Sequence, residues 1–262
     1  MLRAGRYVLL RILKRSHLCN NKIGLTDPLP LTGALALTLA IFDLDNTLLG
    51  GDSDHAWNDF LVEQGIVDRD YFRRENDRFH RAYDDGTLDI HEYLTFALDP
   101  LTRHAPAELD ELHHRFMIER IEPIILPRGE ALLETHRVRG DQILIITATN
   151  RFVTGPIAKR LGVAHLIAVE PEMIGGRYTG RVAGTPSFRE GKITRLEHWI
   201  REHDVSLEGA FFYSDSRNDL PLLERVDHPV AVDPDPVLAD IAGQRNWQII
   251  TLRDRDEQPD SL

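Results

Sequence analysis

Residues 39–49 read Leu-Ala-Ile-Phe-Asp-Leu-Asp-Asn-Thr-Leu-Leu, and this stretch decides the fold. Its apolar first half is typical of a strand that is buried on both faces in a parallel sheet. The strand ends in Asp43 and Asp45, which an extended backbone places on the same side of the chain. Ligands of open α/β sheets bind at the carboxyl edge of the strands, where these two carboxylates converge. Their mutual repulsion favours a hard divalent cation such as Mg²⁺ between them. The alternative is that the Asp-x-Asp pair only forms an Asx turn or caps the next helix.

The composition is that of a globular protein with one larger and one smaller domain. The 262 residues are 42% hydrophobic and 28% charged, which is enough to bury a sizeable core. The lone Cys19 excludes a disulfide framework and a cysteine-based zinc site, and it favours a reducing compartment, the cytoplasm. The net charge of −11 argues against nucleic acid as a partner, because phosphate backbones bind basic surfaces.

Residues 1–36 do not read as part of the fold. Their arginines and lysines interrupt the apolar residues, so no secretory signal core is present. The apolar run that follows contains Pro30 and continues into the first strand, which argues against a membrane span. We expect a disordered extension or translated sequence upstream of the true start, with an organelle transit peptide as the alternative. Residues 255–262 are expected to form a loose tail.

Residues 52–127 read as helices without a convincing strand. Asp52 supplies an N-cap before the first of them. The predicted helices cover Tyr71–Tyr83, His91–Leu98 and Ala107–Ile121, with breaks at Asp85-Gly86, Asp99-Pro100 and Pro106. We therefore expect a helical domain inserted between residues 37–51 and residues 128–254, which together form the α/β core.

A second buried strand, Gln142–Thr147, follows a predicted helix at Arg128–Arg139. It ends in the hydroxyl of Thr147, and residues 148–150 are predicted to begin the next helix. A phosphate at this point would meet a hydroxyl and the amides of a helix N-terminus. The alternative is that the threonine only caps that helix.

The segment after the predicted strand His165–Glu170 contains a hairpin and a lysine. Glycine pairs and alternation over residues 175–182 indicate a β-hairpin, interpreted as a flap beside the site. Lys192 then lies near the start of a helix, where most lysines are simply solvated. Arg189, three residues earlier, is a weaker candidate for contact with a substrate.

A third buried strand, Ala210–Ser214, again ends in acids. Asp215 follows it directly, and Asn218 and Asp219 lie where the next helix begins. The alternative for Asp219 is a helix cap. Two more short strands, at residues 229–232 and 247–251, flank a helix at Val237–Ala242 and complete the alternating pattern.

Taken in order, Asp-x-Asp, Thr, Lys and Asp…Asn-Asp resemble the four signatures of the haloacid dehalogenase (HAD) superfamily of phosphohydrolases. The resemblance covers about residues 37–252. The helical insert is similar to the C1 cap of subclass IB, the phosphoserine-phosphatase-like and histidinol-phosphatase-like group. This resemblance implies an α/β fold, with a Rossmann-like, doubly wound parallel sheet and a helical cap after the first strand.

The resemblance also implies roles for the acids, the threonine and the lysine. Asp43 would be the nucleophile and Asp45 the general acid/base, while Thr147 and Lys192 would bind the phosphoryl group. Mg²⁺ would be held by Asp43, the Asp45 backbone carbonyl and Asp215, with support from Asn218 and Asp219. The implied enzyme is a Mg²⁺-dependent phosphomonoesterase that forms an aspartyl-phosphate and acts on a small phosphorylated metabolite, as a monomer or a homodimer.

The acids just after the nucleophile narrow the choice of substrate. In phosphoserine phosphatases a Glu nine residues after the nucleophile helps to bind the substrate ammonium, and here that position is Asp52. The shorter side chain leaves more room, which favours histidinol phosphate over phosphoserine; the alternative is that Asp52 only caps its helix. Two other classes remain open, a phosphoacceptor receiver domain and a catalytically silent HAD-fold binding protein. Release of inorganic phosphate from a phosphomonoester would exclude both.

Overall fold

The structure, a computed structural model, describes residues 38–254, so the expectations for residues 1–36 and 255–262 lie outside it. Residues 38–254 form one compact unit built on a six-stranded sheet in which every paired strand is parallel. Its strands, in chain order, are β1 (Leu39–Phe42), β2 (Gln142–Asn150), β3 (His165–Val169), β6 (Phe211–Ser214), β7 (His228–Val232) and β8 (Gln248–Ile250). A separate antiparallel hairpin is formed by β4 (Pro171–Ile174) and β5 (Arg177–Val182).

The strand order β3-β2-β1-β6-β7-β8 makes β1 the point at which the sheet changes winding direction. Phe42, its last residue, pairs with Ile145 of β2 on one side and with Tyr213 of β6 on the other. The carboxyl ends of these strands diverge at such a switch point and leave a crevice for ligands. The residues that follow β1 therefore lie at the place where this class of sheet binds its ligands.

The apolar run of β1 is buried because both faces of the sheet are covered. Ala40 and Phe42 belong to one hydrophobic cluster, and Leu39 and Ile41 belong to the other. This alternation is the period of two expected for a strand with packing on each side. The helices that cover the core are α5 (Pro127–Arg139), α6 (Arg151–Arg160), α7 (Glu190–His203), α8 (Leu220–Leu223) and α9 (Pro236–Arg245).

The segment between β1 and α5 is helical, as the sequence predicts. It consists of α1 (Ser53–Glu63), α2 (Arg69–Asp84), α3 (Ile90–Arg103) and α4 (Pro106–Phe116), followed by a π-helical turn and a 3₁₀ turn up to Ile124. The first three begin at aspartate N-caps, Asp52, Asp68 and Asp89, whose carboxylates accept backbone amides. Together, α1–α4 form a helical cap over the sheet edge. The predicted fold class is thereby confirmed.

Two predicted element boundaries are wrong. α3 does not break at Asp99-Pro100 but continues to Arg103, because Leu98 and Leu101 are buried against the hairpin and α4. This packing outweighs the missing amide of Pro100. No helix begins at residue 148 either, because β2 extends to Asn150, which pairs with Val169 and caps α6.

The hairpin lies against the cap and not in the wall of the cavity described below. Gly175 and Gly176 form its turn with positive φ angles of 58° and 77°, which glycine adopts without strain. At Gly180 an added Cβ would lie 3.0 Å from the Thr102 side chain, so β5 approaches α3 closely. The structure thus gives the hairpin a packing role in place of the predicted flap beside the site. Within residues 38–254, no helix is long and apolar enough to cross a membrane.

Candidate active site

The chain turns sharply after β1 and leaves Asp43 at the edge of the sheet. The Asp43 amide donates to the Tyr213 carbonyl at 2.9 Å, which extends the ladder between β1 and β6 by one residue. The backbone carbonyl of Leu44, the residue after Asp43, accepts hydrogen bonds from the amides of residues 47–49. Asn46 adopts a left-handed conformation with φ of 57°, which asparagine tolerates. The turn therefore fixes both ends of the Asp43–Asp45 pair.

Lys192 links the ends of β1 and β6 through two carboxylates. Its ammonium nitrogen lies 2.7 Å from Asp43 Oδ1 and 2.7 Å from Asp219 Oδ1, and the three side chains are 3–7% exposed. Asp219 also accepts the hydroxyl of Ser214 at 2.7 Å. It makes no hydrogen bond that caps the following helix. The sequence left open that Lys192 is solvated and that the Asp219 side chain caps a helix. The structure shows neither arrangement.

Burial and neighbouring charge act in opposite directions on the pKa of Asp43. Burial raises the pKa of this carboxyl to about 7, although the Lys192 ammonium lowers it. For Lys192, burial lowers the pKa, but the charges of Asp219 and Asp43 outweigh that effect and raise it. The lysine is therefore a permanent cation at neutral pH. A single ammonium does not neutralise the acids around it, because Asp215 lies there as well.

Asp215 is held beside Asp43 by the hydroxyl of Thr47, which donates to its Oδ1 at 2.9 Å. Burial, and next the charge of Asp43, raise the pKa of Asp215 well above its usual value. Asp43 is buried and Asp215 is partly buried, and two such carboxylates in mutual repulsion offer the hard oxygen ligands that Mg²⁺ takes. Among residues 38–254 no group of three or more His, Cys, Asp or Glu side chains has a metal-binding arrangement. Mg²⁺ sites commonly use one or two carboxylates and keep several waters, so this pair fits the ion.

Asp45 is fixed by two donors that the sequence analysis did not identify. Its Oδ1 accepts the Ser53 amide at 2.7 Å, and its Oδ2 accepts the Thr149 hydroxyl at 2.9 Å. Burial and the charge of Asp52 raise the pKa of Asp45 to about 6, while the two donors lower it. Thr149 lies two residues after Thr147, and extended backbone places such a pair on one face. That spacing was the available signal for Thr149; nothing comparable points to the amide of Ser53.

Thr147 lies in the wall of the same cavity as Asp43 and Asp45. It is buried, and its hydroxyl oxygen accepts the Thr149 amide at 3.1 Å. Its carbonyl accepts the hydroxyl of Ser187 at 2.5 Å, which ties β2 to the segment before α7. The three predicted strand ends and the start of α7 thus meet at one edge of the sheet.

The two weaker substrate candidates occupy different positions. Asp52 caps α1 through its Oδ1, which accepts the amides of Asp54 and His55 at 2.9 Å, and it also lines the cavity. The Arg189 guanidinium does not line it. It donates to Asn218 Oδ1 at 3.0 and 3.1 Å and to the Gly86 carbonyl at 2.5 Å. Arg189 and Asn218 therefore connect the α2–α3 turn of the cap to the core.

The rest of the cavity is aromatic and acidic. Its lining includes four acids, Asp43, Asp45, Asp52 and Asp54, and within the described range no lysine or arginine. The cap supplies the remaining walls: Phe79, Tyr83, Tyr93, His55 and His80, with Phe188 from the core side. The rings of His55 and His80 lie 5.0 Å apart. Such a cavity favours a ligand that carries positive charge and a flat group.

A doubly wound sheet with paired acids, a lysine and a helical cap at its switch point is the architecture of a capped α/β enzyme. The chain belongs to the haloacid dehalogenase-like hydrolase family, whose model matches residues 40–224. This confirms the resemblance seen in the sequence and makes the chain an enzyme of the hydrolase class.

The chain is similar to three other proteins over most of its length. A histidinol-phosphatase of Neisseria meningitidis serogroup C is 45% identical over 82% of this chain and 99% of its own. A phosphoserine phosphatase of Mycobacterium tuberculosis is 30% identical over 86% of this chain and 73% of its own. A crystal structure of a protein of unknown function from Bordetella pertussis Tohama I is 44% identical, with a TM-score of 0.79, and covers 83% of this chain and 100% of its own.

Proposed function

We propose that this enzyme is a Mg²⁺-dependent phosphomonoesterase that works through an aspartyl-phosphate and acts on histidinol phosphate. The observation that carries the proposal is the Asp43–Lys192–Asp219 arrangement at the sheet edge, beside an Asp45 that is held in place by Ser53 and Thr149. It puts a nucleophile, a cation for phosphoryl oxygens and a proton carrier in one buried site. Phosphoryl transfer needs these three parts and heavy compensation of negative charge.

The chemistry proceeds in two displacements. An Asp43 oxygen attacks phosphorus, the bond from phosphorus to the ester oxygen breaks, and the proton of Asp45 goes to the leaving alkoxide. Asp45, now a carboxylate, takes a proton from a water that attacks the phosphorus of the aspartyl-phosphate. The bond from phosphorus to Asp43 then breaks, and inorganic phosphate leaves with Asp45 protonated again. Lys192 and Thr147 bind the oxygens of the phosphoryl group throughout.

Mg²⁺, held by Asp43, Asp215 and the Asp45 backbone carbonyl, would supply charge neutralisation for the transferring group. Asn218 and Asp219 support this site, Asp219 through its ion pair with Lys192. The neighbouring carboxylates of Asp43 and Asp215, whose charges repel each other, support the choice of a hard cation.

The choice of substrate rests on the relative from Neisseria meningitidis and on the charge of the cavity. Phosphoserine carries a carboxylate next to its amine, and the described lining offers it four acids and no lysine or arginine. Like charges at close range are destabilising. Histidinol phosphate has the amine without that carboxylate and adds an imidazole that suits aromatic walls. The alternative, phosphoserine, is supported by the relative from Mycobacterium tuberculosis.

The test is phosphate release with and without Mg²⁺ from histidinol phosphate, phosphoserine and neutral sugar phosphates, with Asp43→Asn alongside. We expect kcat/KM to be highest for histidinol phosphate and activity to be absent in the variant. Comparable kcat/KM for sugar phosphates would contradict an amine substrate. If the folded protein released no phosphate from any of them, a catalytically silent binding protein would be the better interpretation.

A further inference from the structure

Asp54, in the first turn of α1, is a buried acid that has no role in the proposed reaction. It is 4% exposed and lines the cavity. Its Oδ1 accepts the Asn150 side-chain amide at 3.3 Å, but its Oδ2 has no hydrogen-bond partner among residues 38–254. Burial, and next the charge of Asp52, raise the pKa of Asp54 to about 8. Buried polar atoms nearly always have a partner, so an unpartnered carboxylate oxygen beside a cavity points to a missing ligand.

Asp54 is placed close to the proton carrier of the reaction. Ser53, which precedes Asp54, donates its backbone amide to the Asp45 carboxylate. Thr149, which precedes Asn150, donates its hydroxyl to the same carboxylate. Both carboxylates line the same cavity, and the charge of Asp45 adds to burial and to the charge of Asp52 in raising the pKa of Asp54. A group bound to Asp54 therefore shares the cavity with the ester oxygen that Asp45 protonates.

The other acid on this side of the cavity is already engaged. Asp52 uses its Oδ1 to cap α1, and its Oδ2 lies 3.9 Å from His80 Nδ1. Tyr93 lines the cavity with its hydroxyl near the Asp54 carboxyl, and burial, and next the charge of Asp54, raise the pKa of Tyr93. A cation at Asp54 would thus meet the carboxylate on one side and the hydroxyl-bearing ring of Tyr93 on another, which is a favourable setting for an ammonium group.

We propose that Asp54, and not Asp52, is the receptor for the positively charged amino group of the substrate. The inference rests on the proposed phosphomonoesterase activity and specifies which carboxylate selects a phosphate ester that carries an amine. The ammonium donates to Asp54 Oδ2 while the ester oxygen lies at Asp45. The bound ammonium favours the ionised form of Asp54 and supplies the positive charge that this part of the cavity lacks.

The experiment compares two substrates that differ only in the amine: histidinol phosphate and 3-(imidazol-4-yl)propyl phosphate. The readout is the ratio of their kcat/KM values, which cancels general damage to the enzyme. We expect wild-type protein to prefer the amine and Asp54→Asn to lower that ratio about 100-fold, as truncation of a buried charge partner does. Asp54→Glu, which keeps the charge, should restore part of the ratio. If Asp54→Asn does not fold, Asp54→Ser replaces it.

Two variants of neighbouring acids serve as controls. Asp59→Asn makes the same chemical change on the same helix, at a side chain that is 46% exposed, and should keep the wild-type ratio. Asp52→Asn should lower the ratio less than Asp54→Asn does. A larger effect at Asp52, or an unchanged ratio in Asp54→Asn, overturns the inference. If wild-type protein hydrolyses both substrates equally, Asp54 is not an amine receptor, but the proposed phosphatase activity is retained. If it hydrolyses no phosphomonoester, both proposals are wrong.

Discussion

The Lys192 ammonium lies 2.7 Å from the Asp43 carboxylate, in a site where both side chains are less than a tenth exposed. The two residues are 149 positions apart in sequence, and the same ammonium reaches Asp219 on the far side. This ion pair orients Asp43 at the sheet edge and compensates part of the negative charge that Asp215 and Asp219 add. We therefore expect stability and activity to depend on the same lysine.

Lys192→Met should destabilise the protein as well as inactivate it. The change leaves the buried carboxylates of Asp43 and Asp219 without the ammonium that both contact, and breaking a buried pair in this way typically costs about 3–5 kcal/mol. Urea unfolding at neutral pH gives the free energy, and phosphate release gives the activity. Lys159→Met is the matched control, because this lysine is exposed on α6 and should leave both unchanged. Equal stability of the two variants would contradict the compensating role.

Asp45→Asn should keep substrate binding and lose turnover. Positioned acid/base groups contribute about 10²–10⁴-fold, so kcat for histidinol phosphate should fall by that factor with little change in KM. A substrate with a good leaving group, p-nitrophenyl phosphate, needs no acid for the first displacement. Rapid-quench measurements should then show a burst of p-nitrophenol followed by slow turnover, because the base for the second step is missing. Near-wild-type kcat would exclude the role of Asp45.

The parts that could be predicted from sequence are those governed by strand ends. The last residue of a buried parallel strand lies at the carboxyl edge of the sheet. The sequence alone therefore predicts that Asp43, Thr147 and Asp215 lie close together. Lys192 depended on the order of motifs and not on local pattern. This explains why the family, the fold class and the helical insert were predicted from the sequence and are confirmed.

What could not be predicted depends on contacts between distant segments. Thr149 and Asp45 are 104 residues apart, and no periodicity relates the turn after β1 to the end of β2. Arg189 could not be placed because its backbone has a positive φ of 49°, which aims the guanidinium at Asn218 and the cap. At Pro100 tertiary packing overrides a local helix breaker. In the sequence Asp54 is one of several acids that follow the nucleophile, and only the folded cap shows that it is buried.

Thr149→Val should lower kcat while leaving KM nearly unchanged. The variant removes the hydroxyl that donates to Asp45 Oδ2, and hydrogen bonds to charged groups are worth about 1.5–3 kcal/mol. The expected loss is therefore about 10- to 100-fold. Thr149→Ser keeps the hydroxyl and should retain most of the activity, which separates the hydrogen bond from the packing of the methyl group. Equal losses in the two variants would assign the effect to packing.

Mg²⁺ should raise the melting temperature of the wild-type protein but not that of Asp215→Asn. A ligand at 100 times its Kd stabilises the folded state by about 2.7 kcal/mol, and Asp215 supplies one of the proposed oxygen ligands. Without Mg²⁺ the variant should be at least as stable as wild type, because it removes a buried charge that repels Asp43. Asp240→Asn, at an exposed acid on α9, is the control and should keep the Mg²⁺ shift. The same shift in Asp215→Asn would place the metal elsewhere.

His113→Gln should remove a defined part of the pH dependence of stability. His113 is buried between cap and core, and its Nε2 donates to the Val153 carbonyl at 2.9 Å. Burial lowers the pKa of this imidazole below 6.5, so the unfolded chain binds its proton at a higher pH than the folded protein does. Its contribution to the free energy of unfolding is therefore complete above pH 6.5 and declines as the pH falls below that value.

The measurement for His113 is the urea midpoint of wild type and variant at pH 7.5 and at pH 5.5. Comparison with the variant is needed because Asp43, Asp45 and Asp54 have raised pKa values and contribute with the opposite sign. On acidification wild type should lose more stability, or gain less, than His113→Gln does. His114→Gln, at the exposed neighbour on α4, should follow wild type. A parallel response of wild type and His113→Gln would mean that the folded protein accepts the proton without penalty, and that the contact with Val153 tolerates a charged ring.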